Sequence, residues 1–342
     1  MAEKNVAIVG ATGAVGQELL SILAERKFPL KSLRLLASAR SAGKKIRFEG
    51  EDLVIEELRH DSFSGVDLVL SSAGGSISKE FMPSAVKAGA VVVDNTSYFR
   101  MNPEVPLVVP EVNPQDIKKH KGIIANPNCS TIIMLLPLFP IYKAFGVERI
   151  HATTYQAASG AGALAMEELR LESIALAEGK PFQRSVIPFQ YAFNLFPHNA
   201  PYNDGSEAKA AVHAPLGYCE EEWKMVAETH KIFGDEKLPV NATCVRVPVL
   251  RAHSEALNIR LSKKASVEEI YEVLLGAPGV QVLEEPSKNR WAMPIDASGK
   301  DPVLVGRVRT DLSQENTFDM WVVGDQIRKG AALNAIQIAE LL

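Results

Sequence analysis

The chain has 342 residues, 46% of them hydrophobic and 23% charged, with a formal net charge of −4. That length predicts two domains, and that composition excludes disorder, collagen and coiled coil. A net negative chain has no general field for a polyanion, so nucleic acid is not an expected partner and any phosphate must be held locally. The longest apolar run, 132–142, is broken by Pro137 and Pro140 and falls short of the ~20 residues of a membrane span. With no charged leader, long apolar stretch or cleavage site after Met1, the expected location is cytoplasmic, off the membrane. Cys129, Cys219 and Cys244 are an odd set without Cys-x-x-Cys spacing, which argues against a disulfide framework. No histidine pair has ligand spacing either, so no metal is expected.

In chain order, the sequence predicts a strand over 5–9, a helix over 15–26, strands over 33–36, 66–71 and 90–94, and a short helix over 81–88. This alternation is that of βαβ units on a parallel sheet. From about residue 150 the rhythm changes to longer strands (150–155, 241–250, 255–261) and two long helices (163–178, 220–233), the pattern of an α+β domain. The stretch 181–217 has no sustained period and is expected to be a long connection lying on the domain or on a partner subunit. A mainly apolar terminal helix should return to the first domain. The expected division is therefore 1–128 with 326–342, and 129–325.

Gly10-Ala11-Thr12-Gly13-Ala14-Val15-Gly16 joins the first strand to the first helix. Glycines there let the backbone approach a pyrophosphate, and the helix N-terminus favours its charge. The second strand ends without the acidic residue that binds an NAD ribose. It runs instead into Ala37-Ser38-Ala39-Arg40-Ser41, where Arg40 and Ser41 suit a 2′-phosphate, so NADP is the expected cofactor. Asn126-Pro127-Asn128-Cys129-Ser130 follows a strand-like segment and precedes an apolar helical run. A cysteine at a helix N-terminus is biased toward the nucleophilic thiolate. Cys244, inside a valine-rich strand, reads as a core thiol, and Cys219 has no assignment. Seven histidines are present, and spacing alone does not choose a proton-transfer partner among them.

Gly10 to Gly16, Ala37 to Ser41, Asn126 to Ser130, Tyr155-Gln-Ala-Ala-Ser-Gly160 and Arg246-Val-Pro-Val-Leu-Arg-Ala-His253 together resemble the aspartate-β-semialdehyde dehydrogenase family, across nearly the whole chain. The resemblance implies an N-terminal NADP-binding Rossmann-type domain and an α+β catalytic domain that forms a homodimer. It implies NADPH-dependent reduction of aspartyl-β-phosphate to the semialdehyde, with release of phosphate, in lysine, methionine and threonine biosynthesis. By the same resemblance Cys129 is the nucleophile that forms a thioester, His253 the acid/base and Gln156 the residue that orients the acyl group. Arg246 and Glu221 would bind the substrate, and Arg100 and Lys224 the phosphate. Gly10, Thr12, Gly13, Ala14, Val15, Arg40, Ser41, Ser159, Gly160 and Gln326 would bind the cofactor, with glutamine at 326 where the family more often has asparagine. Arg246 and His253 are seven apart, so on one ideal strand they would face opposite ways; Pro248 invites a break that removes the conflict. The nearest alternative is an N-acetylglutamyl-phosphate reductase-like enzyme, against which the Asn-Pro-Asn-Cys-Ser motif and the Glu221/Lys224 pair weigh. A silent NADP-binding paralogue is opposed by the joint presence of Cys129, Gln156, Arg246 and His253.

Overall fold

A computed structural model describes residues 2–206 and 213–342. The chain divides into two compact units, Met1–Asn128 with Gly330–Leu342, and Cys129–Lys329. The first unit begins with β1 (Lys4–Val9), α1 (Ala14–Glu25), β2 (Leu30–Ala37), β3 (Lys45–Phe48) and β4 (Glu51–Glu57). It continues with β5 (Leu68–Ser71), α2 (Gly75–Lys87), β6 (Val91–Asp94) and β7 (Ile123–Ala125). These strands form one sheet in the order β3-β4-β2-β1-β5-β6-β7, parallel except for β3 against β4.

Val6, Ala7, Ile8 and Val9 are all buried, as a strand covered on both faces requires. From β1 the chain passes to β2 on one side and later to β5 on the other, which makes the C-terminal end of β1 the switch point where open α/β sheets bind ligands. The β3–β4 hairpin was not foreseen. Its strands are short and rich in charge, so the alternation of Lys45-Ile46-Arg47-Phe48 is too brief to stand out; its turn shows in Glu49 and Gly50, both at positive φ (45° and 93°). Helix α2 starts at Gly75, well before the expected 81, because its first turn is polar: Ser78 is buried and donates to Asp94 at 2.8 Å.

The second unit opens with α3 (Cys129–Phe145), β8 (Val147–Gln156), α4 (Ala163–Ala177), β9 (Phe196–Pro197), α5 (Glu220–Phe233), β10 (Val240–Arg246) and β11 (His253–Leu261). It closes with α6 (Val267–Leu275), β12 (Val280–Val282), β13 (Glu284–Glu285), β14 (Arg290–Trp291), α7 (Pro294–Ala297), β15 (Val303–Thr310) and β16 (Thr317–Gly324). Seven strands form a mixed sheet in the order β12-β15-β16-β11-β8-β10-β9. Ser130 through Leu138 are all buried, so α3 is a core helix apolar on every side, lying against β11, β15 and β16.

The expected strand 241–250 stops at Arg246. Pro248 has no N–H for a ladder, and Val249 N turns back to Val247 O at 2.7 Å. The last helix, α8 (Leu333–Glu340), buries Leu333, Ile336 and Ile338 and lies against α1 and β6 of the first unit. The return to that unit comes at Gly330, not at 326 as expected. Residues 325–329 are tied to the second unit: the fully buried Asp325 accepts from Arg251 Nε and Gly299 N, each at 2.6 Å, and Arg328 Nε donates to Asp301 at 2.7 Å. Among the described residues no helix is long and apolar enough to cross a membrane.

Candidate active site

Each unit carries part of the predicted site. In the first, Gly10 (φ 89°) carries the chain out of β1, and a Cβ there would lie 3.0 Å from Ala73 N and Ser72 C. A Cβ on Gly16 would meet Gly10 O at 2.3 Å, so the helix can approach the strand this closely only because residue 16 is glycine. Gly13 caps α1 with no side-chain hydrogen bond. Thr12 and Gly13 are exposed, and Ala14 and Val15 half-buried. The result is a helix N-terminus with an exposed approach at the switch point, the kind of place at which anions bind. After β2, residues 38–44 turn, with Ser41 N donating to Ser38 O at 2.8 Å, and present an exposed Arg40. Arg100 also belongs to this unit; it is 8% exposed, donating from Nε to Asn126 O (2.9 Å) and from Nη2 to Asn95 O (2.8 Å).

In the second unit three adjacent strands deliver side chains to one end of the sheet. Gln156 ends β8 and Arg246 ends β10; the two are direct partners in the parallel register. His253 begins β11, antiparallel to β8, where Ser254 opposes Tyr155. Arg246 and His253 therefore stand on different strands, one on either side of β8, and the alternation rule for a single strand does not apply to them. Cys129, the first residue of α3, places Sγ 3.6 Å from His253 Nε2. Ala157 N donates to His253 Nδ1 at 3.0 Å, so the neutral ring carries its proton on Nε2, toward the sulfur. Burial, reinforced by the charge of Arg246, holds the His253 imidazolium well below its usual range, so the ring is neutral at pH 7.

Gln156 Nε2 donates to Ser130 Oγ (2.6 Å) and Glu221 Oε1 (3.2 Å), while its Oε1 is buried with no hydrogen-bond partner. Lys224 Nζ reaches Glu221 Oε2 at 3.3 Å, one turn along α5. Its neighbour Glu222 turns the other way, accepting from Cys219 N (3.0 Å) and Cys244 N (3.2 Å), which fixes the helix register and points Glu221 at Gln156. Arg246 is 6% exposed; Nη1 donates to Ala157 O at 3.0 Å, and Nε has no partner. A Cβ on Gly160 would sit 3.0 Å from both Arg246 Nη1 and His253 Cε1, so only glycine leaves these two groups in place.

The other thiols are poor nucleophiles. Cys219 caps α5, and burial pushes its pKa up to about 11; Cys244 lies against Met225, and burial raises it well above the usual thiol range. Ser159 and Gln326 are buried and bonded to each other, Nε2 to Oγ, while Gln326 Oε1 accepts from Ala252 N at 3.0 Å. Ala252 is held at φ 75°, a left-handed conformation that costs ~1–2 kcal/mol, immediately before His253. Gln326 is therefore committed to shaping the turn that aims His253. Sequence reasoning missed Ala157 and Ala252. The first acts through a backbone amide and the second through its backbone conformation, so neither has a side-chain signal.

Two family models match the chain: "Semialdehyde dehydrogenase, NAD binding domain" over residues 5–120, and "Semialdehyde dehydrogenase, dimerisation domain" over 138–329. The aspartate-semialdehyde dehydrogenase of Synechocystis sp. is 56% identical over 338 residues, 99% of this chain and 97% of that protein. The Bacillus subtilis protein of the same name is 47% identical over 346 residues, again 99% of this chain and 97% of its own. Among solved structures, aspartate semialdehyde dehydrogenase II from Vibrio cholerae, complexed with ASA, superposes with a TM-score of 0.94 at 46% identity, covering 100% of this chain and 98% of that one. The Candida albicans enzyme with NADP gives 0.75 at 27% identity, covering 100% and 98%. The chain belongs to the aspartate-semialdehyde dehydrogenase family.

Proposed function

We propose that the chain catalyses the reversible, NADPH-dependent conversion of aspartyl-β-phosphate to aspartate-β-semialdehyde and phosphate, as a homodimer in the cytoplasm. Amino-acid biosynthesis is the family's setting. The observation that carries this reading is the Cys129–His253 contact of 3.6 Å, within the cluster of Gln156, Arg246 and Glu221.

The Cys129 thiolate attacks the acyl carbon, the bond to the phosphate oxygen breaks, and phosphate leaves with that electron pair, giving a thioester on Sγ. Gln156 orients the acyl group. Neutral His253 offers its Nε2–H to the oxygen of the tetrahedral adduct on Sγ, where negative charge develops. The Arg246 guanidinium takes the substrate carboxylate and Glu221 the α-amine. Lys224 and, in the first unit, Arg100 serve the phosphate. The bound cofactor supplies the hydride that a thioester accepts and a carboxylate does not. Gly10, Thr12, Gly13, Ala14 and Val15 would hold its pyrophosphate, Arg40 and Ser41 its 2′-phosphate, and Ser159 and Gly160 its nicotinamide end, with Gln326 holding Ser159. The absence of an acidic residue after β2 supports NADP over NAD, and the matched dimerisation domain supports the homodimer. Cys129→Ala should lower kcat at least ~10⁴-fold with NADPH affinity unchanged by fluorescence titration; a variant within 100-fold of wild type removes Cys129 from the nucleophile's role.

A further inference from the structure

His198 takes no part in the chemistry above, yet it stands among the residues that do. Strand β9 pairs antiparallel with β10, Phe196 opposite Arg246 and Pro197 opposite Val245. His198 follows, its N–H donating to Cys244 O at 3.0 Å. The ring is thereby placed beside the strand that ends in Arg246. Ala200 N donates to His198 Nδ1 at 3.0 Å, so the neutral ring carries its proton on Nε2, and that nitrogen is buried without a partner. Burial pushes the His198 pKa down to about 4, with the charges of Glu221, Arg246 and Lys224 all felt at the ring; at neutral pH it is an uncharged donor. Arg246 Nε is a second buried donor without a partner in the same cluster. Against the one unpartnered acceptor reported above, Gln156 Oε1, these two donors stand on the β10 side, and leaving them unsatisfied is costly, which marks that side of the cluster as shaped for an acceptor-rich anionic group.

We propose that His198 is a substrate-binding residue: its Nε2–H, beside the Arg246 guanidinium, receives the carboxylate of aspartate-semialdehyde and so helps select an α-amino acid substrate. This rests on the reading of Arg246 as the carboxylate's partner. The test is steady-state kinetics with NADP and phosphate, using aspartate-semialdehyde and 3-aminopropanal, which keeps the amine and aldehyde but lacks the carboxylate. For His198→Ala we expect KM for aspartate-semialdehyde to rise ~10–100-fold, the loss of one hydrogen bond to a charged group, with kcat within ~3-fold and KM for NADP unchanged. His198→Gln, which restores an N–H donor, should recover most of the loss. The kcat/KM for 3-aminopropanal should be the same in wild type and both variants; if that aldehyde turns over too slowly to measure, the split between KM and kcat and the glutamine rescue decide. An equal loss on both aldehydes, no rescue by glutamine, or an unchanged KM overturns the proposal. Arg246→Lys separates the causes: a raised KM there, with none in His198→Ala, rejects His198 alone, whereas no effect in either rejects the placement of the carboxylate itself.

Discussion

Cys129 was legible from its place before an apolar helical run, and Gln156, Arg246 and His253 only through the family resemblance of their motifs. What completes the site was not. The Ala157 amide that sets the His253 tautomer and the left-handed Ala252 beside it act through the backbone, so any small residue would read the same in sequence. Glu255, two residues beyond His253 on β11, is a second kind of silent residue. It is fully buried, neither carboxyl oxygen has a hydrogen-bond partner, and Thr154 opposite it in the register has an unpartnered hydroxyl as well. Burial raises the Glu255 carboxyl well above its usual range, so the folded chain holds it protonated while the unfolded chain ionises it above ~4.3. Its contribution is intact below that pH and is lost as pH rises toward the folded value. Glu255→Gln abolishes the titration, so the stability of the variant relative to wild type should climb from pH 5 to pH 8, by up to ~1.4 kcal/mol per pH unit. Chemical denaturation across that range reads it, and a difference that stays flat contradicts a protonated Glu255.

At the scale of elements, the parallel strands and amphipathic helices of the first unit followed from periodicity, whereas 181–198 has none, and its order comes from α4. Glu168 accepts from Ser185 N (2.6 Å), Val186 N (2.8 Å) and Ile187 N (2.7 Å); Glu172 accepts from Tyr191 N (2.9 Å) and Ala192 N (2.8 Å). Two carboxylates thus do for this loop what a ladder does for a strand, while Ile187, Tyr191 and Phe196 pack with Ala165 and Leu169. The partners are 17 to 20 residues apart in sequence, beyond any local pattern. The same packing delivers β9, and with it His198, to the site. Residues 207–212 of the expected connection lie outside the described residues. Burial opposes ionisation of Glu168, but the three amides outweigh it and hold the carboxyl below its usual range. Its stabilisation is therefore present above ~4.3 and lost as pH falls through the folded value. Glu168→Ala should destabilise by ~2–4 kcal/mol at pH 7 and speed proteolytic cleavage within 181–198, with the gap to wild type narrowing below pH 4. A variant as stable and as protease-resistant as wild type would show that the loop is held by its apolar contacts alone.

Across the whole molecule, the two units carry separate groups of candidate residues on separate folds: a parallel sheet with a glycine turn after its first strand, and a mixed sheet whose strand ends and one helix N-terminus bring Cys129, Gln156, Arg246 and His253 together. Length anticipated two domains, while the change from short alternating elements to long strands shows only from about residue 150, beyond Asn128 where the first unit ends. The strands β15 and β16 escaped notice although they pair with each other as near neighbours in the chain; both are largely buried inside the mixed sheet, so they show no clear polar face. In the proposed reaction a thioester on Cys129 links hydride transfer to phosphate. The most direct measurement is NADPH formation from aspartate-semialdehyde and NADP, with inorganic phosphate present and then omitted, and with NAD in place of NADP. Sustained turnover is expected only with phosphate, with at most one equivalent of NADPH per subunit without it and a marked preference for NADP. Sustained turnover without phosphate, or equal rates with NAD, would contradict it.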